Sequence, residues 1–138
     1  VRIKLGLQKD LVLGNLESYR DWGHAKDYVK VMHKIVNSKK ADDFVIATGV
    51  THSVKELCEY VFGKLDMDYQ DYVKHDKKYL RPEELQFLKG DSSKAKEKLE
   101  FKLEYTFETM LDDMIDHWMK VYKTDSTQNP FNENYLLS

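Results

Sequence analysis

The spacing of apolar positions changes several times along this 138-residue chain, and each change marks an element. Between about His24 and Asn37, the residues Ala25, Tyr28, Val29, Met32, Ile35 and Val36 recur at the three-and-four spacing of one helical face. Lys26, Asp27, Lys30 and Lys34 lie opposite. A second stripe, Val54, Leu57, Cys58, Val61 and Phe62, follows Ser53, which precedes Glu56 by three residues in the pattern of a capping box. The longest stripe predicts a helix from about Thr106 to Lys120 through Phe107, Met110, Leu111, Met114, Ile115, Trp118 and Met119. "SSKAKEKL" (92–99) predicts a short capped helix. "DLVLGN" (10–15) predicts a strand closed by a Gly-Asn turn, and the β-branched run "FVIAT" (44–48) a buried strand. In the irregular middle, "MDYQDYV" (67–73) is assigned to a further strand, and Arg81 is pushed towards extended backbone by Pro82. Helix, strand, helix in succession is the order of an α/β unit.

Length narrows this to one domain with its own core. Residues 1–123 are assigned to it, and 124–138, "TDSTQNPFNENYLLS", to a polar, loosely ordered tail. "VRIKLGLQ" (1–8) reads as the last turns of a helix broken at Gly6, so the chain is expected to be cut from something longer. No apolar run reaches bilayer length, and a net charge of −2 gives no basic field, so neither membrane nor nucleic acid is an expected partner. The lone Cys58 cannot form an intramolecular disulfide and points to a reducing compartment, the cytoplasm.

Much chemistry is excluded by spacing. The six glycines are nowhere fewer than eight residues apart, so no phosphate loop or dinucleotide fingerprint can be assembled. No His-x-x-x-His or cysteine pair offers a metal site, and no Gly-x-Ser-x-Gly elbow is present. Tyr60 and Lys64 stand four apart, like a dehydrogenase base and its activating lysine. Gly63 is expected to end the helix before Lys64, so the match is read as coincidence.

Two constellations remain. Arg20-Asp21-Trp22 follows the Gly14-Asn15 turn: a guanidinium there suits a pyrophosphate, and Asp21 could orient it or cap the next helix. The competing structural reading has Trp22 plugging the core and Arg20 paired with a carboxylate. Arg81-Pro82-Glu83-Glu84 offers a cation for phosphate and Glu84 for sugar hydroxyls, or simply a helix start. On the residues alone the structural reading leads in both. His24 and Tyr28 are expected to pack, Met110, Met114 and Met119 to line a core, and Lys94, Lys96 and Lys98 to face water.

In order, "LGNLESYRDWGHAKDYVKVM", "DDFVIATGVTHSVKEL" and "KKYLRPEELQFLKGDSSKAKEKL" resemble the carboxy-terminal part of GDP-mannose 4,6-dehydratases, over about residues 1–120. These are extended short-chain dehydrogenases/reductases. The resemblance implies an α/β fold: the last Rossmann elements plus the small, mainly helical substrate domain. It implies that the intact enzyme, a homo-oligomer, oxidises C4 of GDP-mannose with NADP, loses water across C5–C6 and returns the hydride to C6. Matched position by position, Gly14, Arg20, Arg81 and Glu84 fall on substrate-binding positions. The family's Gly-rich motif, tyrosine–lysine pair and threonine–glutamate pair have no match here, so catalytic and cofactor residues are expected upstream of Val1. Two departures stand out. Phe101 and "KLEY" replace a tryptophan and a proline, and the stretch between Phe62 and Asp76 is short. Another nucleotide-sugar dehydratase or epimerase is the alternative within the family. A non-catalytic nucleotide-binding or assembly module is the alternative outside it.

Overall fold

In the computed structural model, which describes residues 1–79, 85 and 87–124, the apolar stripes become helices, and of the two short apolar runs only 10–15 contains a strand. The order is β1 (Leu11–Leu13), β2 (Tyr19–Asp21), α1 (Ala25–Val36), β3 (Thr51–Ser53), α2 (Val54–Lys64), α3 (Tyr69–Tyr72), β4 (Val73–His75), a 3-10 turn at Lys77–Tyr79, α4 (Ser93–Leu99) and α5 (Phe107–Thr124). The fold is mixed α/β, as expected. β1 and β4 pair in parallel, Leu11 opposite Val73. Parallel strands cannot be joined by a tight turn, and here β2, α1, β3, α2 and α3 lie between them. β2 and β3 pair antiparallel, with Arg20 opposite His52 and Asp21 opposite Thr51.

Several helix ends follow from local chemistry, but α4, expected to be capped, begins after Ser92 without a side-chain capping bond. Ser53 and Glu56 form the reciprocal capping box that opens α2. Thr106 and Thr109 exchange hydrogen bonds of 2.8 and 3.2 Å at the start of α5. Around Gly6 (φ 71°), the Leu7 amide donates to Arg2 O and the Gly6 amide to Ile3 O. That is the Schellman geometry of a closing helical turn, with glycine where a left-handed residue is required. Lys34, on α1, donates to the carbonyls of Leu99 and Glu100 at 2.9 and 3.1 Å, satisfying the end of α4.

Three expectations are corrected. The run 44–48 is not a strand: the Thr48 amide donates to a carboxylate, Asp21, rather than to a neighbouring backbone. The run 67–73 begins as a helix, because Asp68 accepts from the Gln70 amide and caps α3; only Val73 belongs to β4. Lys64 lies within α2, whose C-cap is Leu65, so Gly63 does not end the helix. α5 reaches Thr124, and the remainder of the expected tail lies outside the described residues.

The core forms where α1 meets α4. Val31, Ala95 and Phe101 are buried together, packed by Tyr28, Ile35, Phe44, Ile46, Leu99 and Leu103. Phe101, one of the departures from the family pattern, thus fills a core position. α2 contributes Cys58 and Phe62 to the buried interior, and α5 contributes Met110, Leu111 and Ile115. Met114 departs from the expected core stripe and is 49% exposed. Among the described residues no helix is long and apolar enough to cross a membrane.

Candidate functional site

β2 is the organising strand. Successive side chains on a strand point to opposite faces, so Arg20 and Asp21 serve different neighbours. Arg20 Nη1 donates to the carbonyls of Tyr19 at 2.7 Å and Leu85 at 2.8 Å. Asp21 makes no bond to Arg20 and does not cap α1, the two direct roles expected of it. Its Oδ1 accepts from the Thr48 amide (2.8 Å) and hydroxyl (2.5 Å), and its Oδ2 from the amides of Gly49 (2.9 Å) and Gly90 (3.2 Å). Partial burial opposes ionisation of this carboxyl, but the bonds from Thr48, Gly49 and Gly90 outweigh it and hold the pKa below the ordinary value.

α1 is capped by His24 instead. Its Nδ1 accepts from the Lys26 amide at 2.9 Å, which leaves the ring proton on Nε2, 3.1 Å from Asp113 Oδ2. The ring stacks on Tyr105 at 4.1 Å. The expectation of packing was therefore incomplete: His24 is buried, and it also caps. The clue was positional, since His24 stands immediately before the first residue of the apolar stripe. Gly23 has its own reason. A Cβ there would come within 1.9 Å of the Tyr28 hydroxyl oxygen.

Trp22, read in the structural alternative as a core plug, is half-buried and instead braces the β2–β3 ribbon, its Nε1 donating to His52 O at 3.2 Å. His52 stacks on Phe107 with ring centres 3.9 Å apart. Trp22, Thr48, His52, Tyr105, Phe107 and Glu108 line part of a cavity of about 300 Å³ beside the ribbon. A larger apolar cavity, about 610 Å³, lies elsewhere, between α2, α5 and the turn at residues 1–4.

Gly14 ends β1, and its carbonyl faces His75 Nδ1 at 2.5 Å. A Cβ on Gly14 would lie 2.6 Å from Tyr79 O, so any other residue would push that backbone away. Arg81 and Glu84 lie outside the described residues. Yet the two flanks of their segment are in view: Tyr79 rests on Gly14, and the Leu85 carbonyl is held by Arg20. Tyr79 and Leu85, far from β1 and β2 in sequence, are therefore brought against Gly14 and Arg20.

The Tyr60 and Lys64 side chains both bind one carboxylate, that of Asp112. Tyr60 donates to Asp112 Oδ1 at 3.0 Å and Lys64 pairs with Asp112 Oδ2 at 2.9 Å. Desolvation and the adjacent carboxylate push the phenol's pKa up, the opposite of what a base requires. Lys94 and Lys98 remain exposed but also grip Asp42 at 2.6 and 3.2 Å, which lowers its pKa to about 2. Among the described residues no cluster of histidine, cysteine or carboxylates could hold a metal ion.

The family profile described as GDP-mannose 4,6 dehydratase matches residues 1–114 of this sequence. The chain belongs to that family. It is 44% identical over 124 residues to GDP-mannose 4,6 dehydratase 1 of Arabidopsis thaliana, covering 90% of this chain and 34% of the relative. Against the human GDP-mannose 4,6 dehydratase it is 37% identical over 141 residues, covering 90% and 38%. The chain thus spans little more than a third of the length of the curated family members it matches. Solved structures agree on the fold. RMD from Pseudomonas aeruginosa, complexed with NADPH, superposes with a TM-score of 0.75 at 20% identity, over 87% of this chain and 39% of that one. A dTDP-glucose 4,6-dehydratase from Bacillus anthracis, in complex with NAD, gives 0.74 at 18% identity, over 86% and 36%.

Proposed function

We propose that this chain is the carboxy-terminal, substrate-holding region of a GDP-mannose 4,6-dehydratase. The observation that carries the reading is the convergence of Gly14 and Arg20 on the flanks of the segment that bears Arg81 and Glu84. Arg20 supplies the planar cationic fork that suits a pyrophosphate, and Arg81 a second cation. Glu84 accepts from sugar hydroxyls, and Gly14 keeps β1 close to Tyr79. This gives the nucleotide a charged, geometrically fixed seat, while the reacting sugar extends towards residues that this chain does not supply.

In the intact enzyme, NADP would supply the hydride chemistry. The residues here do not fit that cofactor: glycines no closer than eight apart cannot form its pyrophosphate turn. The tyrosine–lysine spacing that resembles a base is neutralised by Asp112. The chain's part is therefore to bind and orient GDP-mannose. Family resemblance extends the proposal to a homo-oligomer in the cytoplasm, where Cys58 stays a thiol.

In the full-length protein, the 4-keto product is expected from GDP-mannose with NADP, in clear preference to UDP-glucose and dTDP-glucose. A preference for a UDP- or dTDP-sugar would reject the substrate assignment in favour of another enzyme of the same family. The isolated 138-residue chain is expected to give no turnover with GDP-mannose and NADP. Formation of the 4-keto product by purified chain would contradict the division of labour.

A further inference from the structure

We infer that Asp21 is a positioning residue for the nucleotide site, an inference that rests on the assignment of Arg20 to the pyrophosphate. Three consecutive residues of β2 each hold a different point of the stretch from Leu85 to Gly90. Tyr19 O accepts from the Leu88 amide at 3.2 Å, and Tyr19 also bridges Phe87. Arg20 bonds Leu85 O, and Asp21 accepts from the Gly90 amide. The second half of the Asp21 grip falls on Thr48 and Gly49, where Gly49 turns with φ 80°. One carboxylate thus joins β2 to two separate backbones, and its four bonds set where the strand carrying Arg20 lies between them.

The joint is tight by construction. A Cβ on Gly90 would fall 2.2 Å from Ala47 Cβ, and Ala47 is itself buried. Gly90 is not in the left-handed region, so contact with Ala47, not backbone strain, is what requires glycine there. Asp21 touches no ligand in this scheme. It acts on affinity through the place it gives Arg20, and a charged fork displaced by an ångström loses much of its bidentate geometry.

The same contact supplies a specific test. In the full-length protein, GDP is titrated by calorimetry into Asp21→Asn, Gly90→Ala and the double variant Ala47→Gly/Gly90→Ala, with NADP affinity measured alongside. Asp21→Asn and Gly90→Ala are each expected to weaken GDP binding roughly tenfold while NADP affinity is kept. Moving the methyl from residue 47 to residue 90 relieves the clash, because the next neighbours lie at 3.6 and 3.7 Å. The double variant should therefore regain GDP affinity to within about twofold. Full GDP affinity in Asp21→Asn or Gly90→Ala, alongside a loss in Arg20→Ala, would overturn the positioning role and leave the site assignment standing. Failure of the double variant to recover would overturn it too. Full affinity in all of these, Arg20→Ala included, would overturn the site assignment itself.

Discussion

Asp27→Ala is expected to destabilise the protein by about 2–4 kcal/mol, an effect out of proportion to one residue of a polar helical face. Asp27 is only 1% exposed, and its Oδ2 accepts from the amides of Glu104 and Tyr105, both at 3.1 Å. Alanine would leave two backbone donors without a partner, each costing about 1–3 kcal/mol where it is shielded from water. The other carboxylate oxygen has no hydrogen-bond partner among the described residues, and its removal offsets part of the loss. The effect should spread along the fold. Val31, one turn further along α1, packs against Ala95 and Phe101, while the stretch held by Asp27 carries Tyr105 beneath the His24 ring. Asp27→Asn retains an oxygen acceptor and should lose only about 1 kcal/mol. Denaturant unfolding of the two variants checks this, and equal stability of Asp27→Ala and wild type would remove Asp27 from any structural role.

Asp27 also marks where sequence legibility ended. The stripe Ala25, Tyr28, Val29, Met32, Ile35 and Val36 located α1 but turned its face: Val31, which it omitted, is buried, while Val29, Met32 and Val36 are exposed. The same pattern placed Asp27 on the solvent side with the lysines. The pattern records polarity, and a buried acid that accepts from distant amides has the same polarity as a solvated one. Asp21 escaped for the same reason: its donors, Thr48, Gly49 and Gly90, are brought to it only by the tertiary fold. Where the determining chemistry is local, the outcome differs. The Ser53–Glu56 box and the stripe of α5 were readable because partner and donor lie within a turn of each other. The run 44–48 misled because β-branched content signals extended backbone without naming the hydrogen-bond partner. The pairing of Gly14 with Tyr79 and of Arg20 with Leu85 was not readable from spacing at all. Only the resemblance of three ordered motifs linked those segments before the fold did.

Arg20→Ala is expected to weaken binding of the GDP-sugar by about 1.5–3 kcal/mol, roughly ten- to hundredfold in Kd, the range of a charge-assisted hydrogen bond. The side chain donates to the carbonyls of Tyr19 and Leu85, and in the proposed role it also presents its cation to the pyrophosphate. The carbonyl bonds alone would make Arg20 a strap, and a strap's loss would appear in stability without selectivity among ligands. A pyrophosphate ligand behaves otherwise: affinity for GDP falls while NADP affinity and the unfolding midpoint hold. Arg20→Lys separates the two further, since lysine restores the charge without the planar fork and should recover only part of the affinity. The direct measurement is calorimetric titration of GDP-mannose into full-length wild type and Arg20→Ala. A roughly ten- to hundredfold rise in Kd with folding intact is the predicted result. An unchanged Kd would contradict the assignment of this chain as the seat of the nucleotide sugar.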